Sequence, residues 1–238
     1  MRSGAFRALI AALLLGAAQA ASASTQAPPP ATEQGLSSGI TRLTDAALVY
    51  RPAHVTAPSG VIILLHGAGG RADQFLREFT RFADERGVLL LALQSEAGSW
   101  PRRPQEVTRG PDAANFNEAL AALTARTPVD LTRVVLLGFS DGASHALSLG
   151  LARPKTFRAI VAMSPGYAFA PGRPDPTQPI FIAHGRRDTV LPAENVREMI
   201  RGLEGAGYRP EVRWFNGGHR IDPDLLDAGL DFALGKVR

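Results

Sequence analysis

Three side chains in this sequence are of the types that nucleophilic chemistry needs together: Ser140, Asp188 and His219. A serine hydroxyl is a poor nucleophile at neutral pH, so an imidazole must take its proton as it attacks. A carboxylate on the second ring nitrogen then holds the imidazole and stabilises its positive form. Ser140 lies in Gly138-Phe139-Ser140-Asp141-Gly142, which fits the pattern G-x-S-x-G. An apolar run, Val134 to Leu137, precedes it, and Ala143 to Ala152 reads as a helix. A tight strand-to-helix turn lifts the serine clear of a sheet and aims the first helical amides at the same spot. The bare motif is weak text, because glycine and serine are common, and an ordinary strand-to-helix turn is the plainer alternative. Its place between a strand and a helix is what gives it weight.

The elements that must position these residues follow from hydrophobic patterning. Val61 to Leu65 is a continuous apolar run, as expected for a strand buried on both faces of a parallel sheet. Further strands are read at Ala46–Tyr50, Val88–Leu93, Phe157–Met163, Ile180–Ala183 and Glu211–Phe215. Helices are read at Ala72–Arg86, Pro111–Arg126, Ala193–Leu203 and Pro223–Leu234. Phe75, Leu76, Phe79, Phe82 and Ala83 fall on one face of the first of these, with Gly87 closing its end. This alternation predicts an α/β fold with a doubly wound, mostly parallel sheet. Ser140, Asp188 and His219 then each stand just beyond the carboxyl end of a strand, and those ends share one sheet edge.

The glycine-rich loop His66-Gly67-Ala68-Gly69-Gly70 leaves the same edge. Its N–H groups could face a negative oxygen as it forms in a transition state. The expected donors are the amides of Ala68 and Asp141, with Gly69 as second choice. A loop that merely needs unusual backbone angles is the alternative. His66 is read as shaping this loop, and His145 as a buried, hydrogen-bonded packing residue. Two long loops, 94–110 and 164–178, lie on the ligand side of the sheet. In the first, Trp100 is read either as a wall of the substrate pocket or as a plug. Arg102, Arg103 and Arg109 are read as solvated surface.

The chain is 238 residues long, 45% hydrophobic and 20% charged, which suits one α/β domain. It contains no cysteine, which excludes disulfides, a thiolate metal site and a cysteine nucleophile. No two histidines have ligand spacing on one element, so no metal and no cofactor is expected. The formal charge of +4 is small and the arginines are scattered, so no nucleic-acid partner is expected. Arg2 and Arg7, the apolar stretch Ala8 to Ala18 and small-x-small sites near Ala20 and Ala23 read as a secretory signal peptide over 1–23. A Pro/Ala/Ser-rich linker over 24–39 follows. The expected destination is the periplasm or the medium, with no stable membrane span after processing.

Leu65-His66-Gly67, Gly138-Phe139-Ser140-Asp141-Gly142, His184-Gly185-Arg186-Arg187-Asp188-Thr189-Val190-Leu191-Pro192 and Gly217-Gly218-His219 together resemble the α/β-hydrolase superfamily. Within it the chain is similar to small secreted carboxylesterases: the phospholipase/carboxylesterase group, and the polyhydroxybutyrate depolymerase-like and feruloyl esterase-like group. The resemblance covers the chain from about Val61 to the end. It implies one α/β-hydrolase domain over 40–238 without a large cap. It also implies that Ser140 attacks an ester carbonyl, His219 acts as base and then acid, and Asp188 orients it. Asp141 departs from the glutamine, alanine or methionine often found there. Its carboxylate is expected to bear on His219 or on anionic substrates. The implied partner is a small-molecule ester, with the protein a monomer or homodimer. A serine peptidase, an acyltransferase and a non-catalytic binding protein on the same fold are the alternatives.

Overall fold

A computed structural model describes residues 35–169 and 174–235. The strands are β1 (Gly39–Thr44), β2 (Ala47–Arg51), β3 (Ser59–Leu65), β4 (Leu89–Leu93), β5 (Val129–Phe139), β6 (Ala159–Met163), β7 (Ile180–Gly185) and β8 (Glu211–Phe215). The helices are α1 (Ala72–Arg86), α2 (Pro104–Arg109), α3 (Pro111–Arg126), α4 (Asp141–Ala152), α5 (Ala193–Gly205) and α6 (Pro223–Leu234). The strands form one sheet in the order β1-β2-β4-β3-β5-β6-β7-β8. β2 runs antiparallel to both its neighbours, and every other pair is parallel. The α/β fold with a mostly parallel, doubly wound sheet is therefore the one expected.

Side-chain alternation along the central strands feeds two cores. Val61, Ile63 and Leu65 of β3 enter one cluster, with Phe116 and Leu123 of α3, Leu147 of α4 and Val196 of α5. Ile62 and Leu64 enter the other, with Phe75, Leu76 and Phe79 of α1 and Leu226 and Leu230 of α6. Every residue of β3, β4, β6 and β7 is buried. Each fully buried Val, Leu or Ile contributes about 1.5–3 kcal/mol. The carboxyl ends of these strands are thus held by apolar burial on both faces of the sheet. Register brings them level, with Leu65 beside Gly138, Phe139 beside Met163, and Gly185 beside Phe215.

Several boundaries differ from the sequence reading. The signal peptide and most of the linker lie outside the described residues. Packing reaches back to Leu36, inside the stretch read as linker: its side chain is buried and its N–H donates to the Arg126 carbonyl. β1 adds a strand to those read from the sequence, because an edge strand of mixed polar and apolar residues carries no strong period. The loop 94–110 contains the one-and-a-half-turn helix α2, which starts on Pro104 and buries Val107. Proline fits the first helical position because no intrahelical partner exists there for an N–H. Helix α4 begins at Asp141, directly after the serine, rather than at Ala143.

Candidate active site

Ser140 joins β5 to α4 with φ 57° and ψ −117°, a left-handed conformation that costs a non-glycine residue energy. The surrounding turn enforces it. The Ser140 N–H donates to the Met163 carbonyl at 2.9 Å, and its own carbonyl accepts from Ser144 N–H at 3.1 Å. A Cβ at Gly138 would run into the Gly142 carbonyl, and one at Gly142 into the carbonyls of Leu65 and His66. Both glycines of the motif are therefore required by close backbone approach.

His219 lies on the loop after β8, and the chain of contacts to Ser140 and Asp188 is complete. His219 Nδ1 lies 2.7 Å from Asp188 Oδ2, and Nε2 lies 2.8 Å from Ser140 Oγ. A carboxylate only accepts, so Nδ1 carries the proton and Nε2 accepts from the serine hydroxyl. Asp188 Oδ1 accepts from the N–H groups of Val190 and Leu191 at 2.9 and 2.8 Å. Burial alone would raise the Asp188 pKa. The hydrogen bonds from Leu191 N–H, His219 and Val190 N–H outweigh it and hold the carboxyl below its usual range.

Two further residues support this trio: Ser164, which no motif marks, and His184, which heads the segment carrying Asp188. Ser164, fully buried with φ 53°, donates its hydroxyl to the Arg220 carbonyl at 3.1 Å, next to His219. His184, at the end of β7, puts Nε2 2.9 Å from the Leu191 carbonyl and 3.5 Å from Asp188 Oδ2. It therefore donates to Leu191 and keeps the acid loop closed. Burial lowers its pKa. Ser164 acts on a carbonyl distant in sequence, which leaves no trace in spacing, whereas His184 heads the motif that carries Asp188.

Among the described residues, the main-chain amides of Ala68 and Asp141 donate to no protein acceptor. The Gly69 amide does not share this freedom, because it donates to the Gly98 carbonyl at 2.7 Å. That corrects its place as second choice. His66 shapes the loop: Nδ1 is 2.7 Å from the Gly67 carbonyl, and Nε2 accepts from Ser95 N–H at 3.2 Å. Burial lowers its pKa.

Trp100 is only 3% exposed, so it is a plug and not a pocket wall. Its indole N–H donates to the His66 carbonyl at 2.7 Å, and its ring stacks on His145 at 4.9 Å. His145 is buried, but its Nδ1 has no hydrogen-bond partner, so stacking rather than hydrogen bonding fixes it. Burial pushes its pKa down to about 3, with Arg153 adding to the effect. The Asp141 carboxylate is turned to Trp100, Tyr167 and Arg102.

A cleft of about 480 Å³ opens beside the trio, lined by Ala68, Gln74, Phe75, Phe139, His219 and Ile221 among others. Among the described residues no group of three His, Asp or Glu side chains could hold a metal ion. No helix among them is long and apolar enough to cross a membrane.

Sheet order, the strained serine turn and the hydrogen-bonded trio at one sheet edge define an α/β-hydrolase. Known proteins agree. The chain belongs to the phospholipase/carboxylesterase family, which residues 106–233 match, and it is a carboxylic ester hydrolase. It is 28% identical over 259 residues to NocK of Nocardia uniformis subsp. tsuyamanensis, a protein named as an esterase, covering 94% of this chain and 75% of that one. The solved structure of Atu2452 from Agrobacterium tumefaciens, a protein of unknown function, matches with a TM-score of 0.57 at 27% identity. That match covers 76% of this chain and 94% of the other. The Bacillus cereus carboxylesterase shares the fold with a TM-score of 0.61 at 18% identity, over 78% and 92% of the two chains.

Proposed function

We propose that this protein hydrolyses small carboxylic esters through an acyl-enzyme on Ser140. The observation that carries the reading is the unbroken contact chain from Ser140 Oγ through His219 to Asp188. Ser140 Oγ attacks the ester carbonyl while His219 Nε2 takes its proton. The tetrahedral oxyanion meets the amides of Ala68 and Asp141, a pair of donors each worth about 10²–10³ in rate in comparable enzymes. His219 then gives the proton to the departing alcohol, which leaves the acyl group on Ser140. Water enters, loses a proton to His219, and releases the acid. Asp188 stays ionised throughout and stabilises the imidazolium.

Hydrolysis of p-nitrophenyl acetate and butyrate tests this. The wild type is expected to turn both over, and Ser140→Ala and His219→Ala to lose about 10⁴-fold or more in kcat. Ser140→Ala protein that turns over at the wild-type rate would overturn the proposal. We further propose that the chain is exported and its N-terminal 23 residues removed. The basic start, apolar stretch and small-residue sites support this. N-terminal sequencing of the mature protein checks it, and an intact Met1 would contradict it.

A further inference from the structure

Asp141 supplies a backbone amide to the oxyanion site, but its side chain has separate work. The carboxylate is only 4% exposed and sits on the first turn of α4, beside the nucleophile. Its Oδ2 accepts the Trp100 N–H at 2.8 Å. Its Oδ1 accepts the Tyr167 hydroxyl at 3.2 Å and lies 3.6 Å from the Arg102 guanidinium. One buried side chain thus fastens the loop after β4 and the loop after β6 to the helix that follows the serine.

The fastening continues toward Ala68. Trp100, held at its backbone by Asp141, donates its indole N–H to the His66 carbonyl at 2.7 Å, two residues before Ala68. The same β4 loop supplies the Gly98 carbonyl that accepts from Gly69, one residue after Ala68. The Ala68 segment is therefore gripped on both sides by a loop whose anchor is Asp141. Besides the pairing of β3 with β5, the two amides that face the developing oxyanion are linked by a side-chain bridge, running from the Asp141 carboxylate through Trp100 to His66. A displacement of about 1 Å in such a site can cost about 10²-fold in rate. The loop after β6 is held on the same helix: Ser144 Oγ accepts from Gly166 N–H at 2.9 Å and Ser148 Oγ from Phe169 N–H at 3.1 Å. Asp141 adds to that row its one contact with a side chain of the loop, the Tyr167 hydroxyl.

We propose that the Asp141 carboxylate is a positioning residue that sets the gap of the oxyanion site by bracing the Ala68 loop through Trp100. The proposal rests on the ester-hydrolase reading of Ser140, His219 and Asp188.

The test is steady-state kinetics on p-nitrophenyl acetate with Asp141→Ala, Asp141→Asn, Trp100→Phe and the double variant Asp141→Ala/Trp100→Phe. Fluorophosphonate labelling of Ser140 and Tm are followed for each. Asp141→Ala is expected to lower kcat by about 10- to 100-fold with KM changed less than about threefold, because the loss is confined to the transition state. Asp141→Asn keeps an acceptor for the Trp100 N–H and is expected to recover most of kcat. Trp100→Phe removes the indole N–H together with the five-membered ring that carries it, and is expected to lower kcat as well. The double variant is expected to lose no more than about twice what the worse single variant loses, since both cut one bridge. Labelling of Ser140 persists in every variant that folds. Asp141→Ala with kcat within about twofold of wild type, or single losses that multiply in the double variant, would overturn the bracing role. A wild type that takes no label and hydrolyses no ester would instead overturn the reading of the trio.

Discussion

Ser140, Asp188 and His219 could be picked from the sequence because residue type and position after a strand both carry information there. Each is a reactive side chain at a point where a parallel sheet must present it. Ser164 offered no such signal, since its partner is a backbone carbonyl 56 residues away. Its fully buried hydroxyl and φ of 53° make it the support of the His219 loop. Ser164→Ala is expected to free the Arg220 carbonyl and let His219 drift from Ser140. The outcome is a kcat lowered about tenfold with KM little changed, read from the same ester assay. Trp100 shows the opposite limit. Its sequence context suited a pocket wall and a plug equally, and only its 3% exposure and its bond to His66 decide between them.

Among the elements, strong periodicity was legible almost to the residue. Helices α1, α3 and α6 match the apolar spacing and the proline or glycine at their ends. β1 and α2 were missed because an edge strand and a helix of six residues bury too little to leave a pattern. The junction of β5 with α4 is the element on which the site depends, and it is intolerant of added atoms. Gly142→Ala is expected to drive a methyl into the carbonyls of Leu65 and His66, forcing β3 and α4 apart. A loss of about 3 kcal/mol or more is expected, in the range of severe core substitutions, read as a lowered midpoint of urea unfolding. An unchanged midpoint would mean that this packing is looser than the backbone contacts require.

At the scale of the whole molecule, three buried histidines, His66, His145 and His184, are held neutral by burial. An unfolded histidine titrates near 6.5, whereas folded His145 titrates at about 3. Between these values the unfolded chain binds a proton that the folded chain does not, so stability falls as the pH drops through that window. His145 alone is expected to remove about 2 kcal/mol between pH 7 and pH 5. Asp188 acts in the same direction, but only at lower pH. Its folded pKa is depressed, so its stabilisation is present above about pH 4 and is lost as pH falls further. His145→Phe, which keeps a ring against Trp100, is expected to flatten the decline between pH 7 and pH 5 by about that amount. Urea titrations at the two pH values measure it, and an equal decline in both proteins would contradict it. The order of strands could not be read from the sequence, because it depends on which apolar runs pair, and those runs are nearly interchangeable in composition.

The most direct test of the account is covalent labelling of the wild type with a fluorophosphonate, followed by mass spectrometry to locate the adduct. One adduct is expected, on Ser140, that disappears in Ser140→Ala and is strongly slowed in His219→Ala. A folded wild type that takes no label, or an adduct on another residue, would contradict an activated serine at this sheet edge.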